Sequence, residues 1–399
     1  MCQRFIGGAL LAAAAALIGT TAASAQDRGF DVPINSGTPI PIPTGNSGQP
    51  GFYTSFEFMI LTTQRAIGDQ TIATRGIVDS TGLITGVPGT PIGNHRPALT
   101  TEDLGRATFS PGGRIEVGYK FDDGTRIYMN WLTIAQAQYS AGATVATDGA
   151  RARQDLIDTF LYSPVFNFNP QFSGPRLKTG YDGPGNNNSG NNTYGIWNAS
   201  SIQDIKFIQR YTEAEVGARM PLFQTDYSRV YGMAGGRFAW IFERFNWRTV
   251  SLDINGVSNP QDAADYSNTL SQRMYGPFVG AGHEVFLANQ FSLSLDVSAG
   301  LLLNVAKERV KYELGDESIQ AKRGRETFTV VPNANASLNL WWYPTDGVQF
   351  RVGYNAMSYF NTRYMDQPVG FNYGAIDPTY STRVIRVYHG VNAGFGLFF

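Results

Sequence analysis

GGRIEVGYKFDDGTRIYMNWL, residues Gly112 to Leu132, is the stretch that decides the fold. Before Asp122-Asp123-Gly124, the residues Arg114, Glu116, Gly118 and Lys120 share one parity and Ile115, Val117, Tyr119 and Phe121 share the other. After it, Arg126, Tyr128 and Asn130 alternate with Ile127, Met129 and Trp131. Successive strand side chains point to opposite faces, so the spacing predicts a hairpin with one oily and one charged face, joined by a tight turn. The fold follows from what each face meets.

The first residues narrow the choice. Residues 1–25, MCQRFIGGALLAAAAALIGTTAASA, combine a basic Arg4, an apolar core from Phe5 to Ile18 and small residues before Gln26, the pattern of a cleaved secretory signal peptide. That apolar run falls short of the roughly 18 to 20 residues needed to span a bilayer as a helix. Cys2, the single cysteine, lies inside the signal and far from its cleavage point, so the mature chain would have no disulfide to stabilise it outside the cytoplasm. A closed sheet embedded in lipid is one alternative source of stability. Residues 26–50 are rich in Pro, Gly and Ser and read as a linker, leaving 51–399 for the structured part.

Composition agrees. Gly (45), Tyr (20) and Phe (26) are abundant and only 16% of residues are charged, which suits strands and turns better than surface helices. A formal charge of -1 gives no support for nucleic-acid binding.

Further ladders follow the quoted one. Phe52, Phe56, Phe58 and Ile60 alternate with Tyr53, Ser55 and Glu57. Strands are expected at Phe207–Met220, Arg229–Phe242, Arg273–Phe286, Phe291–Asn304, Asn333–Trp342, Val348–Asn355 and Val391–Phe399. The stretch Phe245 to Ile254 either extends the fifth strand or begins another, so the count is about ten, between ten and twelve. Short links at 122–124, 222–228, 288–290 and 344–347 alternate with long ones at 63–111, 140–206, 246–272, 306–328 and 361–382. Short turns at one end and long loops at the other give an all-β, antiparallel, up-and-down transmembrane β-barrel with extracellular loops. Phe121, Tyr227, Phe286, Phe291, Trp341, Trp342, Tyr343 and Phe399 stand near the short turns, where an interfacial girdle is expected. Backbone groups in lipid must pair within the protein, so the Ser/Asn/Gly/Glu/Arg parity belongs in the lumen and the apolar parity against acyl chains. A soluble barrel or sandwich explains the alternation equally well, but not the signal, the loop asymmetry and the terminal aromatic together.

The last residues, NAGFGLFF from Asn392 to Phe399, resemble the C-terminal signal of outer-membrane barrels. That resemblance implies recognition by the barrel-assembly machinery through Phe395, Leu397 and Phe399. GGRIEVGYKFDDGTRIYMNW and YGMAGGRFAWIFERF also resemble the pore-forming major outer-membrane proteins of the Legionella type and the barrel porins of planctomycetes. The resemblance implies a bacterial outer-membrane location, outer-membrane lipid as the surrounding partner, and passage of small polar solutes or ions.

Candidate pore-lining residues are the charges of lumen parity: Arg114, Glu116, Lys120, Arg126, Glu213, Glu215, Arg219, Arg229, Arg237, Glu284, Asp296 and Arg351. Such residues either tune ions in a polar conduit or pair with one another to fill a narrow barrel. Enzymatic chemistry has little to stand on. His95 falls in a long loop, His283 and His389 take the lipid-facing parity, and no His, Ser and acid converge. With no cysteine in the mature chain and three histidines, no metal or cofactor site is expected. Acceptor sequences at Asn187, Asn191 and Asn198 are expected to stay unglycosylated. Two functions remain: a porin-like channel for passive diffusion, or a structural or adhesive barrel with a side-chain-filled lumen and working outer loops.

Overall fold

The computed structural model describes residues 50–399 apart from 64, 80, 88–89, 93–95, 146–158, 168–195, 198–199, 226, 253–256, 288–289, 346, 375–377, 379 and 381. The signal segment, nearly all of the linker, His95, Asp182–Asn192 and the Asn187, Asn191 and Asn198 sites lie outside the described residues.

The quoted stretch is the β5–β6 hairpin, with β5 at Phe109–Lys120 and β6 at Arg126–Thr144. Gly124 takes a φ of 82°, which a side chain would strain, and its amide donates to the Phe121 carbonyl at 3.0 Å. The other barrel strands are β1 (Gly51–Thr63), β8 (Ile202–Gln224), β9 (Ser228–Val250), β10 (Ala263–Leu287), β11 (Phe291–Leu314), β12 (Gln320–Thr345), β13 (Val348–Arg363) and β14 (Arg383–Phe398). Ten strands close in the order β1-β14-β13-β12-β11-β10-β9-β8-β6-β5, each antiparallel to its neighbours. The ends meet between β1 and β14, where Thr54 faces Leu397 and Phe56 faces Phe395. Four short strands lie at the long-connection end: β2 (Thr71–Asp79), β3 (Thr90–Ile92), β4 (Pro97–Thr100) and β7 (Thr159–Tyr162), the last paired with β2.

Strand number and facing agree with the alternation, but strand length does not. Much of what reads as long loop at 246–272 and 306–328 is sheet, because β9 runs on to Val250, β10 starts at Ala263, β11 ends at Leu314 and β12 starts at Gln320. The segment at Phe245 therefore extends the fifth strand. At ~3.3 Å per residue a strand as long as the 25-residue β10 spans ~80 Å, and a tilt of ~40° leaves a height of ~60 Å, more than twice the ~25 Å apolar band of such barrels.

The outer face shows where the band stops. On β9 the outward side chains run Val230, Ala234, Phe238, Trp240, Phe242 and then Arg244, Asn246, Arg248; on β11 they run Phe291 to Val305 and then Lys307, Arg309, Lys311. Inward positions change the opposite way. On β8 they pass from Arg219, Glu215 and Glu213 through Tyr211 and Gln209 to Phe207 and Ile205. Each strand keeps its pleat while the polarity of its two faces inverts, because the medium outside changes from hydrocarbon to water.

The girdle at the short turns is partly as expected. Phe121, Tyr227, Phe291, Trp342 and Phe399 are exposed, and Phe52, Tyr119 and Phe121 stack edge to face at 5.0 and 5.1 Å. Trp341, Tyr343 and Phe286 instead take the inward parity. The Trp341 indole donates to Ser294 Oγ at 2.8 Å and the Tyr343 hydroxyl to Glu284 at 3.0 Å.

Above the band the barrel has a packed core of its own. Trp197 packs against Trp247 (4.8 Å between centroids) and Tyr373 (5.1 Å), with Tyr266, Tyr312 and Phe245 in the same cluster. The segment after β13 dips into the mouth, where the Pro368 carbonyl accepts from Asn268 Nδ2 at 2.7 Å and Tyr266 at 3.1 Å. At the β11–β12 turn the Ser318 hydroxyl (2.6 Å) and amide (3.0 Å) donate to Asp316 and hold its carboxyl below the usual range.

Candidate functional site

All the charged residues singled out by parity point into the barrel, and most are bound to one another. Arg219 forks onto Glu116 (2.8 and 3.2 Å) and lies 4.3 Å over the Tyr128 ring. Arg229 meets Glu284 at 2.6 Å; Glu284 also accepts from Tyr343. Arg237 donates through Nε to Glu215 at 2.5 Å and through Nη2 to Ser298 at 2.9 Å, while Asn130 holds the other Glu215 oxygen at 2.8 Å. Tyr231 and Ser337 donate to Asp296. Arg126 lies 5.9 Å over the Tyr53 ring and Lys120 is buried nearby, at the short-turn mouth.

Glu57 is the member that charge listing missed. It is buried on β1, pairs with Arg114 at 3.6 Å and with Arg351, and accepts from Asn392 at 3.2 Å. Its place between the outward Phe56 and Phe58 was the available signal. Arg386 had none, because the last strand was expected to begin only at Val391.

Two adjoining cavities lie in this polar half. One of about 690 Å³ is lined by Tyr53, Arg126, Arg229, Glu284 and Tyr343. The second, of about 610 Å³, is lined by Asn130, Glu213, Glu215, Arg237 and Asn355, and Glu116, Arg219, Asp296 and Arg351 border both. Above them the lumen is crossed. Met59, Leu61, Leu132, Ile134, Tyr211, Ala239, Ile241, Met274, Leu302, Val331, Met357, Tyr359 and Tyr388 form one buried cluster, drawn from every barrel strand except β5. Tyr211 and Tyr359 touch through their hydroxyls at 2.6 Å, and both donate to Glu213 (2.6 and 2.5 Å). Beyond this layer Arg386 forks onto Glu243. In this conformation the charged half is a vestibule that ends on side chains.

A sequence model of the family described as Legionella pneumophila major outer membrane protein precursor matches residues 101–374. The chain belongs to this family. It is therefore an outer-membrane β-barrel protein of bacteria, and by the convention of such barrels the short turns face the periplasm and the long connections the outside. In that membrane the apolar face of the barrel is the one that meets lipid. No curated protein matches the chain. Among solved structures, similarity is found to the outer membrane protease OmpT of Escherichia coli, at 10% identity and a TM-score of 0.39, covering 89% of this chain and 100% of that one. The Pseudomonas putida toluene transporter TodX is similar at 10% identity and a TM-score of 0.28, covering 90% and 92%. A Pseudomonas aeruginosa FadL homologue follows at 9% identity and 0.24, covering 88% and 90%. These scores are too low to carry an activity from those proteins to this chain.

Among the described residues no group of three or more His, Cys, Asp or Glu side chains is placed to hold a metal ion. His283 and His389 face outward, and His389 Nδ1 sits 2.6 Å from the Tyr354 hydroxyl.

Proposed function

We propose that this protein is a porin-like channel for small polar solutes or ions, closed at rest by the transverse side-chain layer. The observation that carries this reading is the mixed-charge vestibule, two joined polar cavities at the short-turn end, which stops at the transverse layer. Opening parts Tyr211 from Tyr359 and Arg386 from Glu243 and withdraws the segment after β13 from the mouth, none of which breaks the pairing of the barrel strands. Small solutes then pass by diffusion along Arg219, Glu116, Arg237 and Glu215, whose alternating signs weaken selectivity between cations and anions. No cofactor enters this mechanism. Phe395, Leu397 and Phe399 would serve earlier, as the segment read by the barrel-assembly machinery.

Planar-bilayer recording tests this. The wild-type protein should give small or infrequent steps, and Tyr359→Ala combined with Arg386→Ala should give larger and more frequent ones. Silence from both proteins, with folding confirmed by heat-modifiable migration, rules the channel out.

The folded cap favours a second reading. Its aromatic cluster around Trp197, Trp247, Tyr266, Tyr312 and Tyr373 makes a rigid platform outside the membrane, as a surface-interaction barrel would need. Silent bilayers together with a protease-resistant cap would support it.

A further inference from the structure

Immediately above the apolar band, on the outer face of β8, β9 and β10, stand Arg210, Arg244 and Arg273. Arg210 and Arg244 both lie over one ring, at 5.6 and 5.3 Å from the Phe242 centroid. Arg273 faces Trp240 across the β9–β10 ladder. Two of the guanidinium groups are aimed by their Nε atoms: Arg210 donates to Gln136 Oε1 at 2.7 Å and Arg244 to Thr269 Oγ1 at 3.2 Å. Both arginines are exposed.

Several neighbouring outward cations are paired, although Lys206 and Arg309, farther from the band, have no carboxylate partner among the described residues. Lys307 pairs with Glu326 at 3.5 Å, Arg248 with Asp265 at 3.8 Å and Lys311 with Glu313 at 2.5 Å. Arg210, Arg244 and Arg273 have no carboxylate partner among the described residues. They stand where the outward side chains of β8, β9 and β10 change from apolar to polar, which is headgroup depth in the outer leaflet. Beneath them Trp240 and Phe242 (5.8 Å apart) and Phe238 and Tyr275 (5.1 Å apart) make an aromatic surface suited to acyl chains.

We propose that Arg210, Arg244 and Arg273 bind the phosphate of an outer-leaflet lipid whose acyl chains lie along Trp240, Phe238 and Tyr275. Guanidinium groups match phosphate oxygens in forked pairs, and stacking on an aromatic ring holds them in place before the ligand arrives. The occupant is a lipid rather than free phosphate, because the arginines sit directly on the surface that acyl chains wet.

The test uses full-length protein in neutral detergent, mixed separately with diphosphoryl lipid A, monophosphoryl lipid A and phosphatidylcholine, with bound lipid counted by native mass spectrometry. Wild type should retain the diphosphoryl form in preference to the monophosphoryl form, and both over phosphatidylcholine. Each Arg→Gln change should weaken retention about fivefold and R210Q/R244Q/R273Q on the order of a hundredfold, while R248Q leaves it unchanged. Inorganic phosphate at millimolar concentration should not displace the lipid. The idea is overturned if the triple variant holds diphosphoryl lipid A as wild type does, or if inorganic phosphate competes as well as the lipid does. Heat-modifiable migration confirms the fold of each variant; should the triple variant not fold, R273Q alone decides, and retention equal to wild type overturns the proposal.

Discussion

Arg386 and Glu243 sit on opposite walls of the barrel and are joined across its full width, Nη1 to Oε1 at 2.5 Å and Nη2 to Oε2 at 2.8 Å. Their strands, β14 and β9, stand five apart in either direction around the ten-stranded ring. Both side chains are buried, at 3% and 0% exposed, so each charge depends on the other for its solvation.

Removing one partner is therefore expected to cost more than removing both. Arg386→Ala leaves the Glu243 carboxylate buried with Gln209 Nε2 (2.9 Å) as its remaining donor, a loss of about 3–5 kcal/mol. The pair R386M/E243M, which puts apolar volume where the ions were, should recover most of that. Denaturant unfolding in detergent, read by heat-modifiable migration, measures both; equal losses would mean the bridge is solvated and structurally idle.

The tyrosine contact predicts a coupling. Glu213 accepts from both Tyr211 and Tyr359, so either Tyr→Phe change leaves it one donor and should cost about 1 kcal/mol. Losing both strands a buried carboxylate, and the double variant should fall below the sum of the singles by about 1–3 kcal/mol. Additive singles would show that water already reaches Glu213 through the layer.

Gly282 tests how tightly the vestibule is packed. A Cβ there would overlap the Tyr231 ring and the Asp296 carboxylate, which are hydrogen-bonded to each other. Gly282→Val should destabilise the barrel by about 1–3 kcal/mol. Gly236 faces outward on β9 with nothing within 4 Å of a built Cβ, so Gly236→Ala should be neutral or gain up to about 1 kcal/mol. Matching losses at the two sites would contradict the inward placement of Tyr231 and Asp296.

What the sequence reveals, and what it hides, follows from the lipid boundary. Within the band a period-two ladder with one apolar face is unambiguous, and it gave the closed ten-stranded barrel, the turn at Gly124 and the inward facing of Glu116, Glu215 and Arg237. Above the band the same strands swap the polarity of their faces. At Phe242-Glu243-Arg244-Phe245 the apolar parity jumps from even to odd, which looks like the end of a strand although the ladder continues to Val250. For that reason Glu243, Phe245, Trp247 and Arg386 are not among the inward-facing candidates read from the sequence. The closing layer was hidden for a different reason. On the lumen parity Met274 stands between Gln272 and Gly276 and Leu302 between Gly300 and Asn304, while Met59 with Leu61 and Leu132 with Ile134 make only short apolar pairs, and the closed ring alone brings them to one level.

That boundary makes the sharpest prediction. Ala234 and Asn246 share one face of β9, on opposite sides of the change from Phe242 to Arg244. Arginine at Ala234 would stand near mid-band with its charge in hydrocarbon, a cost of about 2–4 kcal/mol. Arginine at Asn246 stands in water beside Arg244 and Arg248 and should change stability by no more than about 0.5 kcal/mol. Refolding into phosphatidylcholine vesicles from denaturant measures both on one scale. The inverted polarity of β8 to β12 requires hydrocarbon on one side of Phe242 and water on the other, so equal costs at the two positions would remove the physical basis for placing the membrane edge there, and with it the depth assigned to the Arg210, Arg244 and Arg273 cluster.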